Sequence, residues 1–226
     1  MQLDEDLAEV IGAFIGDGCI SEYNEGTRRR TVVLFTGNWK NDKEYYEEKI
    51  VPTIRQAFGG HRKIYHREDD NSLRYVLCDK EIVKFFIALG LPVGIKGNRI
   101  RVPSEILADD QLVRACIRGI FNTDGSVYRR YSKRYSGHAH AYRNYAVIQF
   151  KMESRNAIRF LKTQLEQRGI KVNRITKVLN CSVIRVTEQK SVHRFASEIG
   201  FTHPYHQARY SMITGMGGGL ARGIRI

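Results

Sequence analysis

The sequence predicts an α+β protein made of two pseudo-symmetric halves, and three observations carry that expectation. A helical stripe ending in Asp-Gly occurs twice, each copy is followed by the same order of strands and helices, and a segment rich in glycine and proline separates them. A chain of 226 residues, 42% hydrophobic, is long enough for one sizeable core or two small ones.

In residues 7–18, Leu7, Val10, Ile11, Phe14 and Ile15 share one helix face and Gly18 closes the helix. In residues 112–125, Leu112, Cys116, Ile117, Ile120 and Phe121 repeat the stripe and Gly125 closes it. The first helix is followed by strand patterns at 19–23 and 30–36, a helix at 42–58, strands at 61–66 and 73–77, and a helix at 80–89. The second is followed by strands at 126–131 and 142–152, a helix at 154–168, strands at 172–178 and 182–186, and a helix at 190–199. Each half thus reads αββαββα. The N-terminal half is expected over 1–93, a linker over 94–108, the C-terminal half over 109–213, and a glycine-rich tail, mobile or ordered by a partner, over 214–226.

Gly12 and Gly16 lie four residues apart on the first helix, as do Gly119 and Thr123 on the second, giving each a seam of small residues. One such segment alone reads as close packing and an Asp-Gly cap. Two copies open another reading, because pairing the seams brings Asp17 and Asp124 to the same end of the helix pair. Carboxylates at helix C-termini face the negative end of the dipole and repel each other, a costly arrangement unless a cation joins them. Hard oxygen donors suit Mg²⁺ or Mn²⁺, with Ca²⁺ as a non-catalytic substitute, and the carbonyls of Gly16 and Thr123, unpaired at helix ends, can add to the ligand set. A phosphodiester supplies further oxygens, and the metal activates water and stabilises the leaving oxygen.

Lysine and arginine outnumber acids 37 to 24, a net charge of +13 that favours a polyanionic partner, either nucleic acid or an anionic membrane. No run of about 18 apolar residues is present and the N-terminus is acidic, so a soluble, intracellular protein, cytoplasmic or organellar, without a membrane partner is expected. Cys19, Cys78, Cys116 and Cys181 are widely spaced in apolar surroundings and read as reduced, buried thiols rather than zinc ligands.

VIGAFIGDG at 10–18 and IRGIFNTDG at 117–125 resemble the two signature motifs of the LAGLIDADG homing endonucleases, and the order of elements is similar to that family over nearly the whole chain. The resemblance implies a monomer acting as a pseudo-dimer, with the motif helices at the interface and two antiparallel sheets forming a saddle over the major groove of double-stranded DNA. It implies site-specific cutting of both strands in the manner of intron-encoded enzymes, with Asp17 and Asp124 as metal-binding acids, one for each strand. The family's further polar or basic residues around the scissile phosphates, often late in the second strand of a half, match Asn38 and Lys151, which the resemblance implies as catalytic residues with Lys151 a charge stabiliser or water organiser, while no lysine stands at the ends of the fourth strands near Cys78 and Glu188. Two alternatives stay open: a non-cleaving maturase or regulator of the same fold, and a basic structural protein whose Asp-Gly pairs are only caps.

Residues 126–152 contain no acid, yet hold Arg129, Arg130, Lys133, Arg134, Arg143 and Lys151 interleaved with tyrosines, a pattern expected of a phosphate and base contact surface. Arg28, Arg29 and Arg30 are its counterpart in the first half. Strand alternation puts Gln149 on the same face as Lys151, within reach of a base edge. Lys63, His66, Arg67 and Arg74, with Arg174, Lys177 and Arg185, lie on the outer strands and are read either as extending this surface or as solvated charges, and His138 and His140 are assigned to DNA or solvent rather than metal.

Overall fold

A computed structural model describes residues 3–60, 63–130 and 145–215. The first half runs α1 (Glu5–Asp17), β1 (Gly18–Glu25), β2 (Arg28–Asn38), α2 (Trp39–Tyr45), α3 (Val51–Phe58), β3 (Ile64–Arg67), β4 (Ser72–Leu77) and α4 (Lys80–Ala88). After a 3-10 turn at Gly97–Arg99 and the short α5 (Ser104–Leu107), the second half runs α6 (Asp110–Asp124), β5 (Gly125–Arg129), β6 (Ala146–Met152), α7 (Arg155–Gln167), β7 (Thr176–Val178), β8 (Cys181–Val186) and α8 (Gln189–Glu198). A further helix, α9 (Pro204–Thr214), follows. Each half holds one four-stranded antiparallel sheet, in the orders β1-β2-β4-β3 and β5-β6-β8-β7.

Strand alternation sets which face of each sheet is covered. Leu73, Tyr75 and Leu77 of β4 and Ile148 and Phe150 of β6 are buried, while Arg74, Gln149 and Lys151 lie on the opposite faces. Under each sheet sits the same aromatic trio. Phe14, Phe35 and Phe86 pack at centroid distances of 4.8 to 6.2 Å, and Phe121, Phe150 and Phe195 pack at 5.1 to 6.0 Å. Each trio takes one ring from the motif helix, one from the second strand and one from the helix after the fourth strand, so the repeat extends to the core.

The motif helices begin alike. Asp4 accepts from the Leu7 N–H and Asp109 from the Gln111 and Leu112 N–H groups, each satisfying donors that a helix start leaves open. α1 then packs along α6 through the small seams. A Cβ on Gly12 would overlap the Cys116 carbonyl, and one on Gly119 would overlap the Glu9 carbonyl, so backbone lies directly on backbone. Gly119→Ala is therefore expected to force the helices apart at a cost of roughly 3 kcal/mol, measured by urea unfolding; a cost within experimental error would contradict this close approach.

Gly18 and Gly125 close their helices as expected, with φ values of −85° and −94° and the chain passing straight into a strand. Glycine is needed because a Cβ would strike Phe14 or Phe121 of the preceding turn. Several other expectations need correction. The long helix expected over 42–58 begins at Trp39 and contains a π turn at Tyr46–Ile50, just before Pro52, which has no N–H to give to the Glu48 carbonyl. The segment taken as a plain linker contributes Ile100 and Ile106 to the core, and its Gly94 N–H bonds the Ile20 carbonyl. Cys78 is exposed, whereas Cys116 is buried, and all four cysteines are free. Lys133, Arg134, His138, His140 and Arg143 lie outside the described residues, as does the tail from 216 on.

Candidate active site and nucleic-acid interface

Asp17 and Asp124 end the two paired helices, and both are half-buried. A Cβ placed on Gly16 would lie 3.4 Å from Asp124 Oδ2, which puts the second acid against the end of the first motif helix. Burial raises the Asp17 carboxyl to about 7, helped by repulsion from Asp124 and Asp42 and opposed by Lys96. Burial likewise raises Asp124 to about 6 against the pull of Lys96. Two hard carboxylates held near each other in this state fit a divalent cation. Among the described residues no group of three or more His, Cys, Asp and Glu side chains forms a metal site, so water and phosphate oxygens would complete the coordination.

Sequence reasoning missed the residue that completes this arrangement. Lys96, half-buried in the segment between the halves, donates to the carbonyls of Phe14 at 3.2 Å, Ile15 at 3.0 Å and also Gly16. It caps α1 at the end where the dipole is negative and carbonyls lack partners. Burial lowers its pKa while Asp124 and Asp17 hold the charge in place. A lysine among glycines in a linker gave no sign of this, because the contact spans 80 residues of chain. The Gly16 carbonyl expected to be unpaired is instead bonded to this ammonium, and the Thr123 hydroxyl turns back to the Gly119 and Ile120 carbonyls of its own helix.

Gly16, Lys96, Asp124 and Lys151 line one cavity of about 210 Å³, so Lys151 lies at the same cavity as Asp124. Asn38 has a local task as the N-cap of α2, accepting from the Lys40 and Asn41 N–H groups.

On the outer face of the second sheet, Arg185 donates to Gln149 Oε1 at 2.7 Å and to the Tyr128 hydroxyl at 3.2 Å, which fixes the Gln149 amide. Lys151, Arg129, Arg130, Arg174 and Lys177 are exposed, as are Arg28 and Lys63 in the other half. Arg29 and Arg30 pair with Glu22 and Glu25 of β1, and Arg67 pairs with Asp69, so these three charges are partly neutralised. His66 stacks on Trp39 at 4.5 Å, and Arg74 keeps a buried Nε without a hydrogen bond.

Residues 111–200 match the sequence model of the LAGLIDADG-like domain. A curated relative, the replication factor C small subunit of Methanocaldococcus jannaschii, is 31% identical over 125 residues, which are 55% of this chain and 6% of that protein. The chain thus spans only a small part of that relative's length. Among solved structures, I-DmoI in complex with DNA and Mn has a TM-score of 0.61 at 15% identity, covering 88% of this chain and 98% of that one. The LAGLIDADG meganuclease I-AabMI bound to uncleaved DNA has a TM-score of 0.63 at 11% identity, covering 95% and 91%. The second half thus matches the LAGLIDADG-like domain in sequence, and the two halves together share the fold of I-DmoI and of the LAGLIDADG meganuclease I-AabMI.

Proposed function

We propose that the chain is a site-specific endonuclease that cuts both strands of duplex DNA with divalent metal, Mg²⁺ or Mn²⁺, held by Asp17 and Asp124. The observation that carries this reading is the meeting of two buried-side carboxylates with Lys96 at the paired helix ends, beside a cavity that also holds Lys151. When bound, the metal supplies an activated water and a counter-charge for the leaving oxygen. The chain's own groups do the rest. Lys96 fixes the end of α1, and with it Asp17, and offsets the charge of the acid pair in the absence of DNA. Lys151 presents an ammonium where negative charge grows on the phosphate, an interaction that strengthens toward the transition state. The basic outer faces of the sheets hold the duplex through its phosphates, and the Tyr128, Gln149 and Arg185 network offers a pre-ordered surface to base edges.

The test uses duplexes selected for binding in Ca²⁺ from a randomised library, then incubated with Mg²⁺ or Mn²⁺. Cutting of both strands at one position supports the reading. Selective binding with no cutting in either metal would overturn it in favour of a non-cleaving maturase or regulator. An extended interface of about 8 to 12 phosphates should also give log K against log salt a slope of roughly −7 to −11. Arg129→Ala should flatten that slope by about one unit, and a wild-type slope shallower than about −3 would contradict an extended duplex surface.

A further inference from the structure

The outer faces of the two sheets carry equivalent positions that hold different chemistry. Gly18 pairs with Phe35 and Gly125 with Phe150, so the strand register maps one sheet onto the other. On this mapping Cys19, Leu34 and Val76 form a row across β1, β2 and β4, and Ser126, Gln149 and Arg185 form the equivalent row across β5, β6 and β8. Residues directly opposite on antiparallel strands share a face. The chain neighbours of each row, Ile20, Phe35 and Tyr75 in one half and Val127, Phe150 and Ile184 in the other, are buried under the sheets. Both rows therefore stand on the outer faces, where their side chains are half-buried and open in part to solvent.

The second row is preset for one kind of base edge. Arg185 has no acceptor, so the Gln149 atom 2.7 Å from its Nε must be Oε1, and the Tyr128 hydroxyl donates to the same oxygen at 3.3 Å. A free glutamine offers an acceptor and a donor side by side, which matches adenine. With Oε1 engaged, the groups that Gln149 and Arg185 still offer a ligand are donors only. In the major groove guanine shows two acceptors, N7 and O6, whereas adenine sets its N6 donor beside N7, so paired donors suit guanine and oppose adenine. The first row lacks such groups: Leu34 and Val76 are apolar, and the Cys19 thiol, whose pKa burial pushes up, stays neutral and is a weak donor. The apolar group that the major groove exposes is the 5-methyl of thymine. Arg28 of β2 and Arg74 of β4 stand on the same outer face by strand alternation, so this apolar row is set among positive charges that suit a duplex.

Resting on the duplex-binding part of the endonuclease reading, we propose that these two rows determine sequence specificity: Leu34 and Val76, beside Cys19, receive the methyl group of a thymine, and Gln149 with Arg185 donates to N7 and O6 of a guanine. Because the rows are equivalent by register, the two bases lie at equal distances from the centre of the target, one in each half-site. One half-site is read by apolar contact and the other by hydrogen bonds, which sets the orientation of the chain on its target. Arg185 acts partly through Gln149, since its removal frees Oε1 to accept from adenine N6.

The experiment selects duplexes from a randomised library in Ca²⁺ and then measures affinity for single base changes in the selected duplex, with the melting temperature of each variant recorded alongside. Wild type should select a thymine in one half-site and a guanine at the mirror position of the other. Deoxyuridine in place of that thymine removes only the methyl and should weaken binding roughly fourfold, a difference that Leu34→Ala should abolish. Adenine or 7-deazaguanine in place of that guanine should weaken binding on the order of tenfold. Arg185→Leu should turn the preference there from guanine to adenine, and Leu34→Gln with Val76→Arg should turn the thymine position toward guanine. The base analogues are read with the wild-type chain, so the test stands even where a variant melts early. Equal binding of thymine and deoxyuridine at every selected thymine, or an unchanged guanine preference in Arg185→Leu, would overturn this assignment while leaving the endonuclease reading in place. Binding that follows these rules without cutting in Mg²⁺ or Mn²⁺ would overturn the endonuclease reading and support the base assignment. Binding with no sequence preference would overturn both.

Discussion

Asp17→Asn and Asp124→Asn are each expected to lower cutting on the order of 10³-fold while leaving DNA affinity intact or higher, since a charge facing phosphate is removed. If the two acids hold separate metal ions, each variant nicks one strand and the two variants nick opposite strands. If they share one ion, both variants are inactive on both strands. Full double-strand cutting by either would return these aspartates to the role of caps. The metal-free protein gives an independent sign. Both carboxyls are pushed up in the folded state, to about 7 and about 6, above the ordinary aspartate value of 3.8, so between pH 4 and pH 7 the folded state binds more protons than the unfolded state. Their contribution to stability is fully present below about pH 4 and is lost as pH rises through the folded values. Either Asn variant should therefore melt higher than wild type at pH 8 in chelator, with the difference vanishing near pH 4. An unchanged difference across that range would contradict the burial and repulsion described.

Glu9→Ala is expected to cost about 3 to 5 kcal/mol in urea unfolding, because removing one member of a buried charged network strands the others. Glu9 is wholly buried between the motif helices and the elements around them. Its carboxylate accepts from Tyr45 Oη at 3.1 Å, Asn122 Nδ2 at 3.1 Å, Arg118 Nε at 2.9 Å and the Thr202 hydroxyl. These donors come from both halves, so the variant should also loosen their docking and slow cutting, although Glu9 touches neither DNA nor metal in this account. A loss under about 1 kcal/mol would show that the network is better satisfied by water than by Glu9.

How far the sequence reveals this protein follows from the range of the interactions. The two motif helices are legible because their stripes, caps and small residues are local, and the pairing of Gly12 with Cys116 and of Gly119 with Glu9 follows once the stripes are seen as copies. The strands are legible where alternation is strong, as in β4 and β6, whereas β7 shrinks to Thr176–Val178 because the residues before it, 171–175, pair with no strand over a sustained length. Helix α9 escaped notice because its residues show no clear stripe: His206, Tyr210 and Ile213 are its buried positions, and between them lie polar or small residues and the exposed Met212. Its weak pattern hides a long-range role, since it brings Tyr205, His206 and Arg209 beside the end of α6. Lys96 was hidden for the same reason. Its partners lie on α1, far along the chain, and nothing within a few residues of it signals burial. Asn38 shows the converse: its place late in β2 suggested chemistry, but the adjoining helix start gives it a cap to make.

The central claim is that the paired helix ends hold divalent metal at Asp17 and Asp124 on duplex DNA. The most direct measurement is anomalous diffraction from Mn²⁺ in crystals of the protein bound to a selected duplex. A peak is expected at about 2.0 to 2.3 Å from a carboxylate oxygen of Asp17, of Asp124 or of both, with a DNA phosphate oxygen in the same coordination shell. Mn²⁺ bound elsewhere, or no ordered Mn²⁺ within reach of either carboxylate while the duplex is in place, would contradict it.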